Sequence, residues 1–458
     1  MRIVVVGGGI AGLAAAHRLV GTGAEVTVLE ASSRVGGKLY AGELAGLRVD
    51  FGAESMLARR PEAVDLARAV GLGDALQPPA TAAARLWNRG ELVPLPKGHV
   101  MGVPGDPDAL AGVLSADGLR RLAQETGRPA TPLGDDIALG EYVADRMGRE
   151  VVDRLVEPLL GGVYAGDVYR TSMRASVPAL FDAARTHPSL TEAVRALQDR
   201  APAATGPVFM GIDGGIGTLP PAVAASFVAR GGELHLDRPV HALRRAGDGW
   251  RLRTDDGWLE ADAVVLAVPA WAASALLDET APAAAAELAA IEYASMSLVT
   301  LAFRRTDAAV LPEGSGFLVP PVDGHTVKAA TFSSQKWAWS DTDPELVVLR
   351  TSMGRYGEDA HLGREDAELV ELARHDLKAA TGLSAAPVAT DVTRWIGGLP
   401  QYPVGHLDRV ARVRSLLAPL PGLALCGAAY DGVGIPACIA SGHRAADALP
   451  TGPGRMAS

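Results

Sequence analysis

Residues 3–12 read Ile-Val-Val-Val-Gly-Gly-Gly-Ile-Ala-Gly, and this stretch decides the fold. The apolar run predicts a buried parallel strand, and Gly7, Gly9 and Gly12 then match the pattern G-x-G-x-x-G of dinucleotide-binding proteins. A helix is predicted to follow, and then a second strand over 25–29 that ends at the acid Glu30. In this motif the glycines admit the pyrophosphate, the helix N-terminus binds it and the acid accepts a ribose hydroxyl. The order of elements therefore predicts a Rossmann-like α/β unit.

A second glycine-rich stretch, at residues 427–442, lies close to the C-terminus. It predicts a strand end, a turn and a helix that begins near Pro436, since proline fits the first helical turn. Gly432 and Gly434 let the backbone approach a ligand closely because they lack a Cβ. The helix start would direct free N–H groups and partial positive charge at that ligand, which favours a negatively charged reduced flavin.

Two further segments distinguish FAD from NAD. Arg34-Val35-Gly36-Gly37-Lys38 follows the second strand, and Val49-Asp50-Phe51-Gly52-Ala53-Glu54-Ser55 comes soon after. Arg-x-Gly-Gly at this place resembles the second dinucleotide motif of the flavin amine oxidase superfamily and is less typical of nicotinamide dehydrogenases. We therefore expect FAD.

Composition narrows the function classes. The chain has 458 residues, of which 48% are hydrophobic, and a net charge of −10. The negative charge argues against a nucleic-acid-binding surface. It also means that any anionic substrate must be bound by local Arg and Lys side chains. The chain starts in a predicted strand and has no apolar run of spanning length, so we expect a cytoplasmic protein with at most peripheral membrane contact. Cys426 and Cys438 are predicted to be small core residues in a reducing compartment, and no Cys/His cluster indicates a metal.

The pattern of elements predicts a split organisation. We expect an α/β fold whose FAD-binding domain, with two dinucleotide motifs, is built from the discontinuous segments 1–74, 206–272 and 408–458. Residues 75–95 and 273–407 are predicted to form an α+β substrate-binding domain. Residues 96–205 are rich in helical patterns and are predicted to be an inserted helical domain.

Four more segments carry a family resemblance: Gly161-Gly162-Val163-Tyr164-Ala165-Gly166-Asp167, residues 211–215, residues 331–337, and Arg394-Trp395 with residues 400–402. Together with both ends, the chain resembles the protoporphyrinogen and coproporphyrinogen oxidase family, and is most similar to its soluble bacterial branch. The resemblance implies oxidation of coproporphyrinogen III to coproporphyrin III in haem biosynthesis, with FAD as cofactor, O2 as acceptor and H2O2 as by-product.

The resemblance also implies the FAD contacts. By matching positions these are Gly7, Gly8, Gly9, Ile10, Ala11, Gly12, Glu30, Ala31, Arg34, Gly37, Lys38, Gly52, Ala53, Glu54, Ser55, Val240, Ala428, Val433, Gly434 and Ile435. Many relatives carry an aromatic residue or Arg where Lys38 stands, so its contact is expected to be through the backbone.

No catalytic residue is predicted, because the flavin nitrogen N5 takes the hydride and the pyrrole proton could leave to water or backbone. The predicted substrate pocket comprises Gly166, Tyr164, Trp337, Trp395, Tyr402 and Lys97. Gly166 either approaches the macrocycle or simply breaks a helix, and the aromatic residues either line a cavity or fill the core. Arg59, Arg60, Lys97 and Arg174 could bind propionates but are more typical of solvated surface charges. His406 and His443 are predicted to be isolated.

Other functions stay open at this level. A protoporphyrinogen IX oxidase would share the fold and act on a more apolar substrate. An amine oxidase or carotenoid desaturase is more distant, since Tyr430 alone gives little support for an aromatic cage. A redox-silent flavoprotein that binds a haem-pathway partner is the non-enzymatic alternative. Product handover to a ferrochelatase is a further expectation.

Overall fold

The computed structural model describes residues 1–129, 131–200 and 206–449. Its strands are numbered along the chain. They are β1 (Arg2–Val6), β2 (Glu25–Leu29), β3 (Ala41–Leu44), β4 (Leu47–Asp50), β5 (Met56–Leu57), β6 (Leu76–Gln77), β7 (Ala84–Asn88), β8 (Glu91–Pro94), β9 (His99–Val100), β10 (Val103–Pro104), β11 (Phe209–Ile212), β12 (Glu233–His235), β13 (Ala242–Ala246), β14 (Gly249–Thr254), β15 (Gly257–Ala261), β16 (Ala263–Leu266), β17 (Tyr293–Arg304), β18 (Gly316–Leu318), β19 (Val327–Thr331), β20 (Leu346–Met353), β21 (Ala389–Pro400) and β22 (Leu423–Leu425).

The α-helices are numbered in the same way. They are α1 (Ile10–Leu19), α2 (Pro61–Ala69), α3 (Ala116–Ala123), α4 (Leu139–Met147), α5 (Arg149–Val151), α6 (Glu157–Tyr164), α7 (Met173–Ser176), α8 (Pro178–Ala184), α9 (Leu190–Arg200), α10 (Leu219–Ala229), α11 (Ala270–Leu277), α12 (Pro282–Ala289), α13 (Ser333–Lys336), α14 (Asp366–Thr381), α15 (His406–Leu417) and α16 (Ile435–Ala448). Within the described residues, each helix is too short or too polar to span a lipid bilayer.

A five-stranded parallel sheet joins the two ends of the chain. Its order is β12-β2-β1-β16-β22, with the N-terminal strand β1 in the centre. Residues 3–6 are buried on both faces, which explains why they form an unbroken apolar run. Helices α1 and α16 pack closely, and a Cβ on Gly442 would collide with the backbone of Ala11. The predicted α/β fold, with strand, glycine turn and helix at each end, is confirmed.

A seven-stranded sheet of order β21-β17-β20-β19-β18-β7-β8 supplies a second layer. Alternate residues of its strands face opposite sides. One face forms a core with Leu369, Ala373 and Leu377 of α14. The other face, which carries Met296 and Leu298, borders a large cavity. The strands β13, β14 and β15 form a separate antiparallel sheet.

Helices α3 to α9 enclose another apolar core, in agreement with the helical character predicted for 96–205. This region also includes a π-helical stretch over 152–156 and the short strands β9 and β10. Residues 130, 201–205 and 450–458, which are part of the predicted helical and FAD-binding domains, lie outside the described residues. The division of the chain into three domains stays a prediction.

Two boundary predictions were wrong, and several strands were not predicted. The pattern of residues 56–74 predicts a helix, but the helix α2 begins at Pro61, because Met56 and Leu57 pair with β11. The glycine-rich stretch at 211–219 predicts the opening of a helix that ends at Gly231-Gly232, but it starts with the end of β11, and α10 begins at Leu219. The strands β3, β4 and β21 depend on partners elsewhere in the chain, which local patterns do not reveal.

Candidate flavin and substrate site

A cavity of about 980 Å³ lies between the parallel sheet and the seven-stranded sheet. The glycine turn after β1, the second glycine motif and the start of α16 line one part of it. The inner face of β17, β19, β20 and β21 lines another part. Three distant segments of the chain therefore share one chamber.

The acid at the end of β2 is fixed by the first glycine turn. The backbone N–H of Gly8 donates to Glu30 Oε2 over 2.6 Å, and Ser32 donates to Glu30 Oε1 through its N–H and its hydroxyl. A Cβ on Gly12 would collide with the carbonyl of Gly7, so the tight turn requires glycine there. This is the geometry that a dinucleotide motif needs.

The second glycine motif is held beside the first. Gly36 has φ of 102° and Gly37 has φ of 56°, which are left-handed values that favour glycine. The guanidinium of Arg34 donates to the carbonyl of Gly37 over 2.9 Å and lies 4.2 Å from the centre of the Tyr40 ring. Arg34 thus shapes the loop and does not line the cavity.

The loop before α16 is anchored by a tyrosine. The hydroxyl of Tyr402 donates to the carbonyl of Ala428 and accepts the N–H of Gly432 over 2.8 Å. Its ring stacks on His406 at 4.0 Å. Burial lowers the pKa of His406 to about 4, so this histidine is a neutral core residue at physiological pH. Tyr402 therefore anchors the loop by hydrogen bonds and does not itself line the cavity.

An ionic cluster closes the side of the cavity near residues 52–54. Glu54, whose side chain is 12% exposed, pairs with Lys336 and with Arg350, and Arg350 Nη1 lies 2.8 Å from Glu54 Oε2. Arg350 also donates to the carbonyl of Gly52 over 2.6 Å. Burial alone would raise the pKa of Glu54, but Lys336 and Arg350 lower it to about 2. Glu54 is therefore a carboxylate throughout the physiological range.

These features fit FAD. The turn, the fixed acid and the helix start are the elements that bind a dinucleotide, and they border one elongated cavity. Most of the predicted FAD contacts line it. They are Gly7, Gly9, Ile10, Ala11, Glu30, Ala31, Gly37, Lys38, Gly52, Ala53, Glu54, Val240, Ala428, Val433 and Ile435. Gly8, Gly12, Arg34, Ser55 and Gly434 are not among the lining residues.

The predicted substrate residues are placed differently. Trp395 lines the cavity, and its indole N–H donates to the carbonyl of Phe51 over 2.9 Å. Trp337 is 1% exposed and packs against Gly211 instead. Tyr164 and Tyr402 belong to the core of the helical region. For these three residues the interpretation as core aromatics is the one that the structure supports.

Gly166 and Lys97 also lie away from the cavity wall. Gly166 is buried, and a Cβ there would collide with the side chain of Gln401. Gly162, four residues earlier in the same motif, lines the cavity. Lys97 is exposed. The contact of this motif with the substrate stays a prediction, and Gly162 is the glycine of the motif that lines the chamber.

The other candidate cations lie on the surface. Arg59 is exposed, Arg60 pairs with Glu62, and Arg174 pairs with Asp408 over 3.4 Å. His443 does not line the cavity, and its pKa is lowered, mainly by burial. Cys426 and Cys438 are both buried free thiols, as predicted. Within the part of the chain that the structure describes, no three His, Cys, Asp or Glu side chains group as a metal site.

Sequence reasoning missed many residues of the cavity wall, among them Leu318, Lys328, Lys336 and Arg350. For Lys328 a signal exists, because a lysine interrupts the apolar run Val327-Lys328-Ala329-Ala330 of a strand. A charged side chain in a buried strand needs a partner or a function. Glu54 and Arg350 are 296 residues apart, so their pairing could not be read from the sequence.

Known proteins resemble this chain over its full length. The family model described as flavin containing amine oxidoreductase matches residues 10–450. A Mycobacterium tuberculosis protein named coproporphyrinogen III oxidase is 39% identical over 449 residues, which cover 96% of this chain and 95% of the relative. A Bacillus subtilis protein of the same name is 32% identical over 466 residues, with 98% and 97% covered.

Solved structures agree. A structure from Exiguobacterium sp. 255-15, named as a candidate protoporphyrinogen oxidase, superposes with a TM-score of 0.87 at 35% identity and covers 97% of this chain and 98% of that one. Cyclohexylamine oxidase from Brevibacterium oxydans has a TM-score of 0.71 at 18% identity, with 98% of each chain covered, and shows the fold alone. The chain belongs to the flavin-containing amine oxidoreductase family and is an oxidoreductase with FAD as its cofactor.

Proposed function

We propose that this protein oxidises coproporphyrinogen III to coproporphyrin III in haem biosynthesis, with O2 as acceptor and H2O2 as by-product. The observation that carries the proposal is a single cavity in which residues suited to FAD continue into a chamber with apolar walls and buried cations. Relatives named coproporphyrinogen III oxidase, at 39% identity over nearly the whole chain, support the same reaction.

The substrate is a ring of four pyrroles joined by saturated carbons. Its oxidation removes three hydrides from bridging carbons and three protons from pyrrole nitrogens, and three O2 leave as three H2O2. When bound, FAD supplies the acceptor for each hydride. The side chains then have to hold the ring in place and keep water out.

The chamber is suited to that task. Met296, Leu298, Leu318 and Leu399 present apolar surface to the ring, and Gly162 presents backbone without a side chain. A Cβ at Gly162 would have only Leu318 nearby, at 3.9 Å, so a flat ligand can approach this helix end closely. Trp395 contributes an aromatic wall near residues 51–52.

Several sequence predictions remain proposals within this function. They are the FAD contacts named above, the three-domain division, a cytoplasmic location and product handover to a ferrochelatase. We further propose that the start of α16 stabilises the reduced cofactor, since Ile435 begins this helix at the cavity wall.

An anaerobic titration tests the reaction. Coproporphyrinogen III added to the FAD-loaded protein should bleach the flavin absorbance, and admission of O2 should restore it and release H2O2. Cyclohexylamine and putrescine are the controls for an amine oxidase and should leave the flavin oxidised. A flavin that coproporphyrinogen III does not reduce would contradict the proposal and favour a redox-silent flavoprotein.

Protoporphyrinogen IX is the second candidate substrate. A Bos taurus relative named protoporphyrinogen oxidase is 30% identical over 485 residues, with 97% of each chain covered. Initial rates of wild-type protein on both porphyrinogens separate the two candidates, and we expect the larger kcat/KM for coproporphyrinogen III.

A further inference from the structure

A break in the strand pairing places Lys328 at the cavity. Val327 of β19 pairs with Met353 of β20, but Ala329 pairs with Ser352, so Lys328 is an extra residue in the ladder. Such a β-bulge changes the direction of the extra side chain and is common beside active sites. Ala329 lines the cavity, and Lys328 lines it as well. Regular alternation would have pointed these neighbours to opposite faces.

The Lys328 side chain is buried without a hydrogen bond. It is 6% exposed, and its Nζ has no hydrogen-bond partner among the residues that the structure describes. The surrounding wall includes Leu318 and Leu399, whose side chains offer no acceptor. Burial lowers the pKa of Lys328 to about 7, so its charged form is costly here, and a carboxylate from outside the protein would stabilise that form.

Two basic groups and two acids meet around Lys328. Arg355 acts on it electrostatically, and the Arg355 Nε lies 3.7 Å from Glu157 Oε1, while its Nη2 donates to the carbonyl of Val319. Glu358, on the same loop, is 3.7 Å from Arg355 and largely exposed. Burial raises the pKa of Glu157 to about 7, so at neutral pH this acid, like Lys328, is only partly charged.

The chemistry of the chamber indicates which anion fits. Much of its wall is apolar, so the ligand is a hydrophobic body, and the basic residues among those that line it, Lys328 with Lys38, Arg238, Lys336 and Arg350, favour carboxylates at the rim of that body. A porphyrinogen meets both conditions. Coproporphyrinogen III carries four propionates, whereas protoporphyrinogen IX carries two propionates and two neutral vinyl groups.

Building on the proposed function, we propose that Lys328 binds a propionate of coproporphyrinogen III that protoporphyrinogen IX lacks, and thereby selects the four-carboxylate substrate. A vinyl group at this place would leave the ammonium buried and unpaired. Sites built to pair with a charged group discriminate strongly against analogues that lack it.

Binding of the stable oxidised porphyrins tests the proposal without turnover. Coproporphyrin III and protoporphyrin IX are titrated into the FAD-loaded protein, and porphyrin fluorescence gives each Kd. The variants are Lys328→Met, Lys328→Arg and, as a matched control, Lys378→Met, which changes an exposed lysine on α14. All four proteins are also assayed on both porphyrinogens.

Lys328→Met should weaken coproporphyrin III binding about 10- to 100-fold, which is the range for a hydrogen bond to a charged group. Its Kd for protoporphyrin IX should change less than about threefold, and its kcat/KM preference for coproporphyrinogen III should fall by the same factor as its affinity. Lys328→Arg should keep most of the preference because it keeps the charge. Lys378→Met should match the wild type.

Three results would overturn the proposal. One is an unchanged Kd for coproporphyrin III in Lys328→Met, and another is an equal loss for both porphyrins. The third is a fall in kcat with unchanged binding that Lys328→Arg does not restore, which would make Lys328 a proton acceptor. In each case wild-type turnover of coproporphyrinogen III leaves the proposed function standing. A wild type that oxidises neither porphyrinogen overturns both.

Discussion

The strand pair β19–β20 has buried charge at both ends, and the two ends are balanced differently. Near the pairing of Thr331 with Arg350, the carboxylate of Glu54 forms an ion pair with each of two cations, Lys336 and Arg350. Near the pairing of Val327 with Met353, the ammonium of Lys328 has no hydrogen-bond partner among the described residues. The first end stabilises the protein by itself, while the second is completed only by a ligand.

Paired and unpaired buried charges have different roles at this cavity. Buried charges that the chain itself neutralises hold its segments together, as Glu54 does between the loop at 52–54 and β20. A buried charge that the chain leaves unpaired carries a free-energy cost that function has to justify. Substitutions at the two ends should therefore have opposite effects on stability and on ligand binding.

The largest effect is expected from Glu54→Gln. This change leaves Lys336 and Arg350 buried beside a neutral amide, and breaking a buried ion pair on one side costs about 3 to 5 kcal/mol. The free energy of unfolding in urea, measured with and without FAD, should fall by that amount.

The control for Glu54→Gln is Glu279→Gln. Glu279 pairs with Arg244 on the surface, where both side chains are more than half exposed. Loss of such a pair should hardly change the free energy of unfolding, because water and salt screen exposed charges. Equal stability losses in the two variants would contradict the distinction between balanced buried charge and surface charge.

Low pH should remove the contribution of Glu54 to the free energy of unfolding. Its pKa in the folded protein is about 2, below the ordinary value of 4.5, so its contribution is complete above pH 4.5 and disappears as pH falls towards 2. The difference in unfolding free energy between wild type and Glu54→Gln should be constant from pH 7 to pH 5 and then shrink. A difference in unfolding free energy that grows below pH 4 would contradict the lowered pKa of Glu54.

Tyr402→Phe tests whether hydrogen bonds between uncharged groups also stabilise the cavity wall, at the loop before α16. The variant leaves the N–H of Gly432 and the carbonyl of Ala428 without their partner, which should cost about 1 to 3 kcal/mol. Because these groups belong to the loop before α16, FAD should dissociate more readily, and equilibrium dialysis would measure the change. Tyr356→Phe, which removes an exposed hydroxyl that bonds to Glu292, should retain FAD like the wild type.

The smallest effect on stability is expected from Lys328→Met. An apolar side chain of similar length replaces an ammonium that has no hydrogen-bond partner among the described residues, so the unfolding free energy should stay within about 1 kcal/mol or rise. The same urea experiment measures it beside Glu54→Gln. A loss of 3 kcal/mol would show that Lys328 has a structural partner in the protein.

The sequence predicted the parts of the fold that local patterns determine. The first strand, the glycine turn and Glu30 at the end of β2 follow from apolar runs and glycine spacing, and all are present as expected. The residues from Leu86 to Leu95 also predict a short hairpin with its turn at Arg89-Gly90, and β7 and β8 flank that turn. In these places residues that are close in sequence determine the structure.

The substrate side was predicted less well, for physical reasons. Trp337 and Tyr402 have the composition of a ring-binding wall, but their orientation depends on which strand or helix covers them, and both face inward to the protein. The bulge at Lys328 arises from pairing between β19 and β20, so the sequence marks an unusual lysine but not the direction of its side chain. The substrate side of the cavity is formed by contacts between segments that are distant in sequence.

The packing of α1 against α16 has a consequence for biosynthesis. The ribosome makes the last helix more than 400 residues after the first nucleotide-binding motif. At 5–20 residues per second the emerging chain waits roughly 20–80 s for the helix that supplies the last part of the cavity wall. That part of the cofactor site is therefore completed late in synthesis, and a chain that stalls before residue 435 lacks it.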